Sequence, residues 1–210
     1  MTDKDNNLEK IRIGCFGESN VGKTYFSRKY INDPNIDFSL PTIGIDYFTR
    51  IQILSNGKKY KIMILDTAGQ ERFRSISMTS IRSCNGFILM YDITNRETFR
   101  LISKWLDNIF EIKDKDFPFI LIGNKYDLKD KREVSEEEGL EAAKKYNTTY
   151  FETSAKKGIN VEKAVNELIN KIITKKEEKS ENKKEKEEEN MNNNIQLSSQ
   201  KIAGKKKKKC

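Results

Sequence analysis

Between residues 8 and 175 the chain alternates short apolar runs with amphipathic stretches, and the two kinds follow different periods. "KIRIGCFG" (10–17) reads as a strand, and "GKTYFSRKYIN" (22–32) as a helix that opens on a glycine loop. "YFTRIQIL", "SNG" and "KKYKIMILD" predict a hairpin turning at Asn56-Gly57. "GFILMYDI" (86–93) and "FPFILIGNK" (117–125) are continuous apolar runs, the pattern of strands buried on both faces. In "RETFRLISKWLDNIFEI" the residues Phe99, Ile102, Trp105, Leu106 and Ile109 share one helical face, which predicts a single helix with a core-facing stripe. "EEEGLEAAKKYN" predicts another helix. "NVEKAVNELINKIITK" predicts a third, with Val161, Ala164, Val165, Leu168, Ile169, Ile172 and Ile173 in register. Pro34, Pro41 and Pro118 all fall outside these helices. Strands alternating with helices predict an α/β fold, a mainly parallel sheet with helices on both faces.

The pattern fails after residue 175. "KEEKSENKKEKEEENMNNNIQLSSQKIAGKKKKKC" holds too few apolar residues to offset its ordering entropy. The expected organisation is a flexible N-terminus (1–7), one folded domain (8–175), and a disordered tail (176–210) with a polybasic end.

Composition narrows the chemistry. The chain has no histidine, which excludes Ser-His-Asp triads, histidine bases and histidine-containing zinc sites. Cys15, Cys84 and Cys210 are far apart and odd in number, so they predict neither a disulfide framework nor a zinc knuckle. Cys15 lies in an apolar strand and reads as a small buried hydrophobe. No apolar run reaches the ~20 residues of a spanning helix, and "MTDKDNNLEK" is no signal peptide, so a cytosolic protein is expected. The net charge of +8 is concentrated in "KKKKK" (205–209), with no aromatic-rich basic platform, which argues against a nucleic-acid partner.

The candidate chemistry lies at the ends of the strands. "GESNVGKT" (Gly17, Glu18, Ser19, Asn20, Val21, Gly22, Lys23, Thr24) follows a strand and opens a helix. Backbone N–H groups of such a loop turn inward on an anion, and the helix adds its positive end. Lys23 would reach β- and γ-phosphates and the Thr24 hydroxyl would ligate Mg²⁺. "ILDTAGQE" ends a strand on Asp66, placed to hold the same ion through water. "GNKYDL" supplies Asp127, whose carboxylate can accept both neighbouring donors of guanine, N1–H and the N2 amine. Adenine would oppose that carboxylate with a lone pair. Asn124 and Lys125 would brace the loop and the base face. "ETSAK" (152–156) would close the far side, with Ser154, Ala155 and Lys156, and offer the Ala155 N–H to guanine O6.

Taken together, "GESNVGKT", "PTIGIDY", "LDTAGQERFRSI", "GNKYDL" and "ETSAK" resemble the small GTPases of the Ras superfamily, most closely the Rab branch, over residues 8–175. That resemblance implies a P-loop GTPase fold with a six-stranded sheet, five strands parallel and one antiparallel, and five helices. It implies that Tyr25 lines the nucleotide site, that Thr42 is a magnesium ligand in the GTP state, that the Gly69 N–H meets the γ-phosphate, and that Gln70 orients the attacking water. Loss of the γ-phosphate would release both switch segments. Gln70 and Lys23 would carry catalysis by positioning and charge stabilisation, with intrinsic turnover on the order of 10⁻⁴–10⁻³ s⁻¹ and an acceleration of about 10⁵ by an activating protein. Arg72 and Arg74 read as surface or effector contacts, and Phe38 as the aromatic at the guanine edge.

The implied function is a monomeric GTP/GDP switch in vesicle trafficking, served by an exchange factor, a GTPase-activating protein, a GDP-dissociation inhibitor and effectors. Prenylation of Cys210 beside the lysine run would anchor it at the cytoplasmic face of a membrane, cycling with the cytosol. Leu65, Tyr47 and Ser80-Ile81 stand where that branch usually carries Trp, Phe and paired tyrosines, positions that shape effector choice. A Ras-type signalling GTPase and a nonhydrolysing scaffold remain as alternatives. A metabolic P-loop kinase would need a lid, and no insertion here is long enough.

Overall fold

The computed structural model describes residues 8–34, 45–54, 56–67 and 81–181. Six strands, β1 (Glu9–Phe16), β2 (Ile45–Ile53), β3 (Lys59–Thr67), β4 (Gly86–Asp92), β5 (Phe119–Asn124) and β6 (Thr149–Glu152), form one sheet in the order β2-β3-β1-β4-β5-β6. β2 is antiparallel to β3, and every other pair is parallel. This is the predicted α/β architecture, with the six strands and the single antiparallel strand that the resemblance implies. The hairpin closes where expected, with the Gly57 N–H donating to the Leu54 carbonyl at 2.9 Å.

β4 and β5 are buried along their whole length, which is why their sequences do not alternate. Phe87, Leu89 and Tyr91 of β4, with Phe119 and Leu121 of β5, enter a cluster with Ile102, Trp105, Leu106 and Ile109. Phe87 and Phe119 stack at 4.8 Å between ring centroids. The neighbouring positions Ile88, Met90, Ile120 and Ile122 are equally buried and point to the opposite face. There α1 (Lys23–Ile31) and the helix that begins at residue 161 reach the hairpin: Arg50 donates to the Tyr30 carbonyl at 3.0 Å and to Glu162 at 2.8 Å.

Two segments differ from the sequence expectation. The helix predicted over 96–112 is divided at Leu101 into α2 (Arg96–Arg100) and α3 (Ile102–Phe110). Thr98 explains the break in part, because its hydroxyl serves the Asp92 N–H and the Asn95 carbonyl and ties α2 to the end of β4. The last helix, α5, runs over 161–181, past the boundary expected at 175. Lys and Glu are strong helix formers, so "KEEKSE" can extend a helix that is already nucleated. The chain divides at Ile172/Ile173 into two compact units. In the first, Val161, Ala164, Val165, Leu168, Ile169 and Ile172 are buried, as their spacing predicts.

α4 (Glu136–Lys145) starts on a reciprocal cap in which Ser135 and Glu138 serve each other's backbone N–H. α1 starts on Gly22 with no side-chain cap, so its first N–H groups face the loop before it.

Candidate functional site

The carboxyl ends of β1, β3, β4 and β5 converge, and their last residues lead into the motif loops. β1 ends at Phe16 and passes into Gly17–Gly22, which turns at once into α1. Gly17 has φ +137°, and a Cβ there would fall 2.1 Å from the Met90 carbonyl oxygen. No larger residue fits between β1 and β4 at this point. Gly22 has φ +99°, and a Cβ there would fall 2.4 Å from Asn124 Nδ2. Asn20 is also left-handed at φ 62°, and Val21 is fully buried.

The side chain of Lys23 is buried and folds back across the loop. Its ammonium donates to the Gly17 carbonyl at 2.9 Å and to the Glu18 carbonyl at 2.8 Å. Burial lowers its pKa from the usual lysine value, while Cys15, Asp66 and Glu18 act in the opposite sense. The Thr24 hydroxyl donates to Asp66 Oδ2 at 2.5 Å, and Asp66 is fully buried at the end of β3. Register places Asp66 beside Cys15, one residue before the end of β1. Two oxygen donors from distant segments therefore meet at the start of α1, a donor set of the hard type that Mg²⁺ takes.

The base-side loops join the same edge. Asn124 is buried at the end of β5 and donates to the Val21 carbonyl at 2.8 Å. Its Oδ1 accepts from the Thr153 hydroxyl at 3.0 Å and from the Ala155 N–H at 3.1 Å. One amide thus links "GESNVGKT", "GNKYDL" and "ETSAK". The Ala155 N–H, expected to be open for guanine O6, is engaged by that amide, because β5 and β6 are paired neighbours and the loop that follows β6 comes back against the end of β5. Asp127 Oδ1 accepts from the Ser154 hydroxyl at 2.5 Å, and Ser154 Oγ accepts from the Lys157 N–H at 3.0 Å. Lys156 is exposed and Ser154 is buried. Tyr25 is half-buried in the first turn of α1, and Ser19 is half-buried in the loop.

Two residues that sequence reasoning did not single out, Asp92 and Arg132, support these loops. Lys125 is left-handed at φ 70°, and its ammonium pairs with Asp92 Oδ2 at 2.7 Å. Asp92 ends β4, and an acid at a buried strand end opposite "NK" was the available signal. Arg132 holds Glu152, the residue before Thr153, through both guanidinium nitrogens. Thr42, Gly69, Gln70, Phe38, Arg72, Arg74, Ser80 and Cys210 lie outside the described residues. Leu65 and Ile81 are buried, whereas Tyr47, opposite Leu65 across the hairpin, is 60% exposed.

Comparison with known proteins gives a consistent picture. The model of the Ras family matches residues 12–174. Ras-related protein Rab-10 of Diplobatis ommata is 43% identical over 162 residues, which cover 77% of this chain and 80% of that protein. Ras-related protein Rab-27B of Homo sapiens is 40% identical over 182 residues, covering 82% and 83%.

Proposed function

The chain belongs to the Ras family and is a Rab-like small GTPase, and from that premise we propose how its residues bind and hydrolyse GTP and where it acts. The reading is a GTP/GDP switch in membrane trafficking that hydrolyses GTP slowly. The observation that carries it is the Asn124 amide, which draws the three motif loops to one edge of the sheet.

In this reading the N–H groups of residues 18–24 and the open end of α1 receive the phosphates. Lys23 gives up its contacts with the loop carbonyls to share its protons with the β- and γ-phosphate oxygens. Asp127, held in place by Ser154, accepts from N1–H and the N2 amine of guanine. Ras-family GTPases generally use Mg²⁺ with the nucleotide, and Thr24 and Asp66, joined by Thr42, would hold it here. Bound there, the ion would offset charge building up on the phosphate oxygens. Gln70 orients the attacking water, and an amide is too weak a base to do more, so catalysis rests on positioning and electrostatics.

We assign regulators and effectors of the Rab kind, and a peripheral membrane location through Cys210 and residues 205–209. Among the described residues no helix is long and apolar enough to cross a membrane. A Cys210→Ser chain should stay in the cytosol; membrane retention of that variant would remove the anchor.

Phosphate release from GTP in Mg²⁺ buffer tests the chemistry. The full chain should turn over on the order of 10⁻⁴–10⁻³ s⁻¹. Gln70→Leu should bind GTP as before and release phosphate at least about tenfold more slowly; equal rates would refute the role given to Gln70.

A further inference from the structure

A loop that cradles phosphates carries, at its second position, a carboxylate. Glu18 is half-buried, and its two ends have different partners: the backbone carbonyl accepts from Lys23, while the side chain accepts from the indole Nε1 of Trp105 at 2.9 Å. Trp105 is the only tryptophan of the chain and sits in the middle of α3, 2% exposed. Its ring lies 6.2 Å from that of Phe16, the last residue of β1 before the loop. The indole is thus fixed by the core on one side and presents its single N–H to the loop on the other.

An indole N–H is a neutral donor. It orients the carboxylate without adding a positive charge of its own, beside a site meant for anions. We infer that Trp105 is a positioning residue that holds the Glu18 carboxylate away from the phosphates, and that this contact raises the ratio of triphosphate to diphosphate affinity above the value the loop would have without it. The inference rests on reading residues 17–24 as the phosphate loop. A triphosphate carries more negative charge than a diphosphate, so a carboxylate released from Trp105 penalises it more. Lys23 feels the same carboxylate, because Glu18 is among the charges that favour its protonated form.

The test uses the full-length protein and titrations with GDP and with a nonhydrolysable GTP analogue, each in Mg²⁺ buffer. Trp105→Phe keeps a ring beside Phe16 and removes the N–H. The ratio of triphosphate to diphosphate affinity should fall about tenfold, and the fall should shrink as KCl is raised from about 0.05 to about 0.5 M. Adding Glu18→Gln to Trp105→Phe removes the charge and should bring the ratio back to within about twofold of the parent. A role in packing alone predicts weaker binding of both nucleotides and no recovery on neutralising Glu18. If circular dichroism shows that Trp105→Phe does not fold, Trp105→Leu, which carries no donor at all, replaces it in both arms. An unchanged ratio, or a lowered ratio that Glu18→Gln leaves lowered, overturns the inference. A parent protein that binds neither nucleotide overturns the functional reading instead.

Discussion

Asn124 donates to the Val21 carbonyl across 103 residues of sequence, at 2.8 Å and away from solvent. With its oxygen on Thr153 and Ala155, the same side chain completes three contacts. Removing it leaves a buried carbonyl and two donors to find new partners. Asn124→Ala should therefore lose about 2–4 kcal/mol of stability in urea unfolding, with nucleotide affinity falling in parallel. A loss below about 1 kcal/mol would mean that the three loops are held together by other contacts.

Gly22 belongs to the same junction from the other side. Gly22→Ala adds a Cβ 2.4 Å from Asn124 Nδ2 and strains a backbone at φ +99°. The expected cost is about 1–3 kcal/mol. Because both changes break one contact, Gly22→Ala and Asn124→Ala should be non-additive in a double-mutant cycle by at least about 0.5 kcal/mol. Strict additivity would show that the glycine is required for backbone reasons alone.

Base selection is assigned to the Asp127 carboxylate. Asp127→Asn replaces an acceptor by an amide that can donate, so xanthine nucleotides, which carry an acceptor where guanine has its N2 amine, should bind better than guanine nucleotides. Ser154→Ala keeps the carboxylate and removes its 2.5 Å hydrogen bond, so guanine should remain preferred with weaker affinity. Competition binding with GDP and XDP separates the two variants, and an unchanged guanine preference in Asp127→Asn would contradict the assignment.

Acid stability has an identifiable source at the start of α4. The Arg96 guanidinium, together with the Ser135 backbone N–H, holds the Glu138 carboxyl at about 2, below its ordinary 4.5. A depressed carboxyl pKa stabilises the fold fully above about 4.5, and the contribution is lost as pH falls toward about 2. Thermal midpoints recorded through that window should drop less steeply in Arg96→Ala than in the parent, and equal slopes would place the acid sensitivity elsewhere.

The sheet was legible because burial dictates composition. β4 and β5 are covered on both sides and so read as unbroken apolar runs, and Asn56-Gly57 named its own turn. The meeting of the three motif loops at one edge of the sheet was legible for a related reason: each follows an apolar run and so had to lie at a strand end. What stayed hidden depends on distance in sequence. Trp105 reaches Glu18 across 87 positions, and its spacing reported only that it faces the core, which is also true. Asp92 pairs with Lys125 because β4 and β5 are neighbours in register, with Asp92 opposite Asn124. The division of one apolar stripe at Leu101 was invisible because α2 and α3 continue the same face.

The account stands on selective binding of guanine nucleotides, and thermal unfolding of the full chain measures that most directly. With Mg²⁺ present, GDP and GTP at about 100 times their dissociation constants should each add about 2.7 kcal/mol of stability and raise the midpoint by several degrees, while ATP at the same concentration leaves it unchanged. No shift with either guanine nucleotide, or an equal shift with ATP, would contradict it.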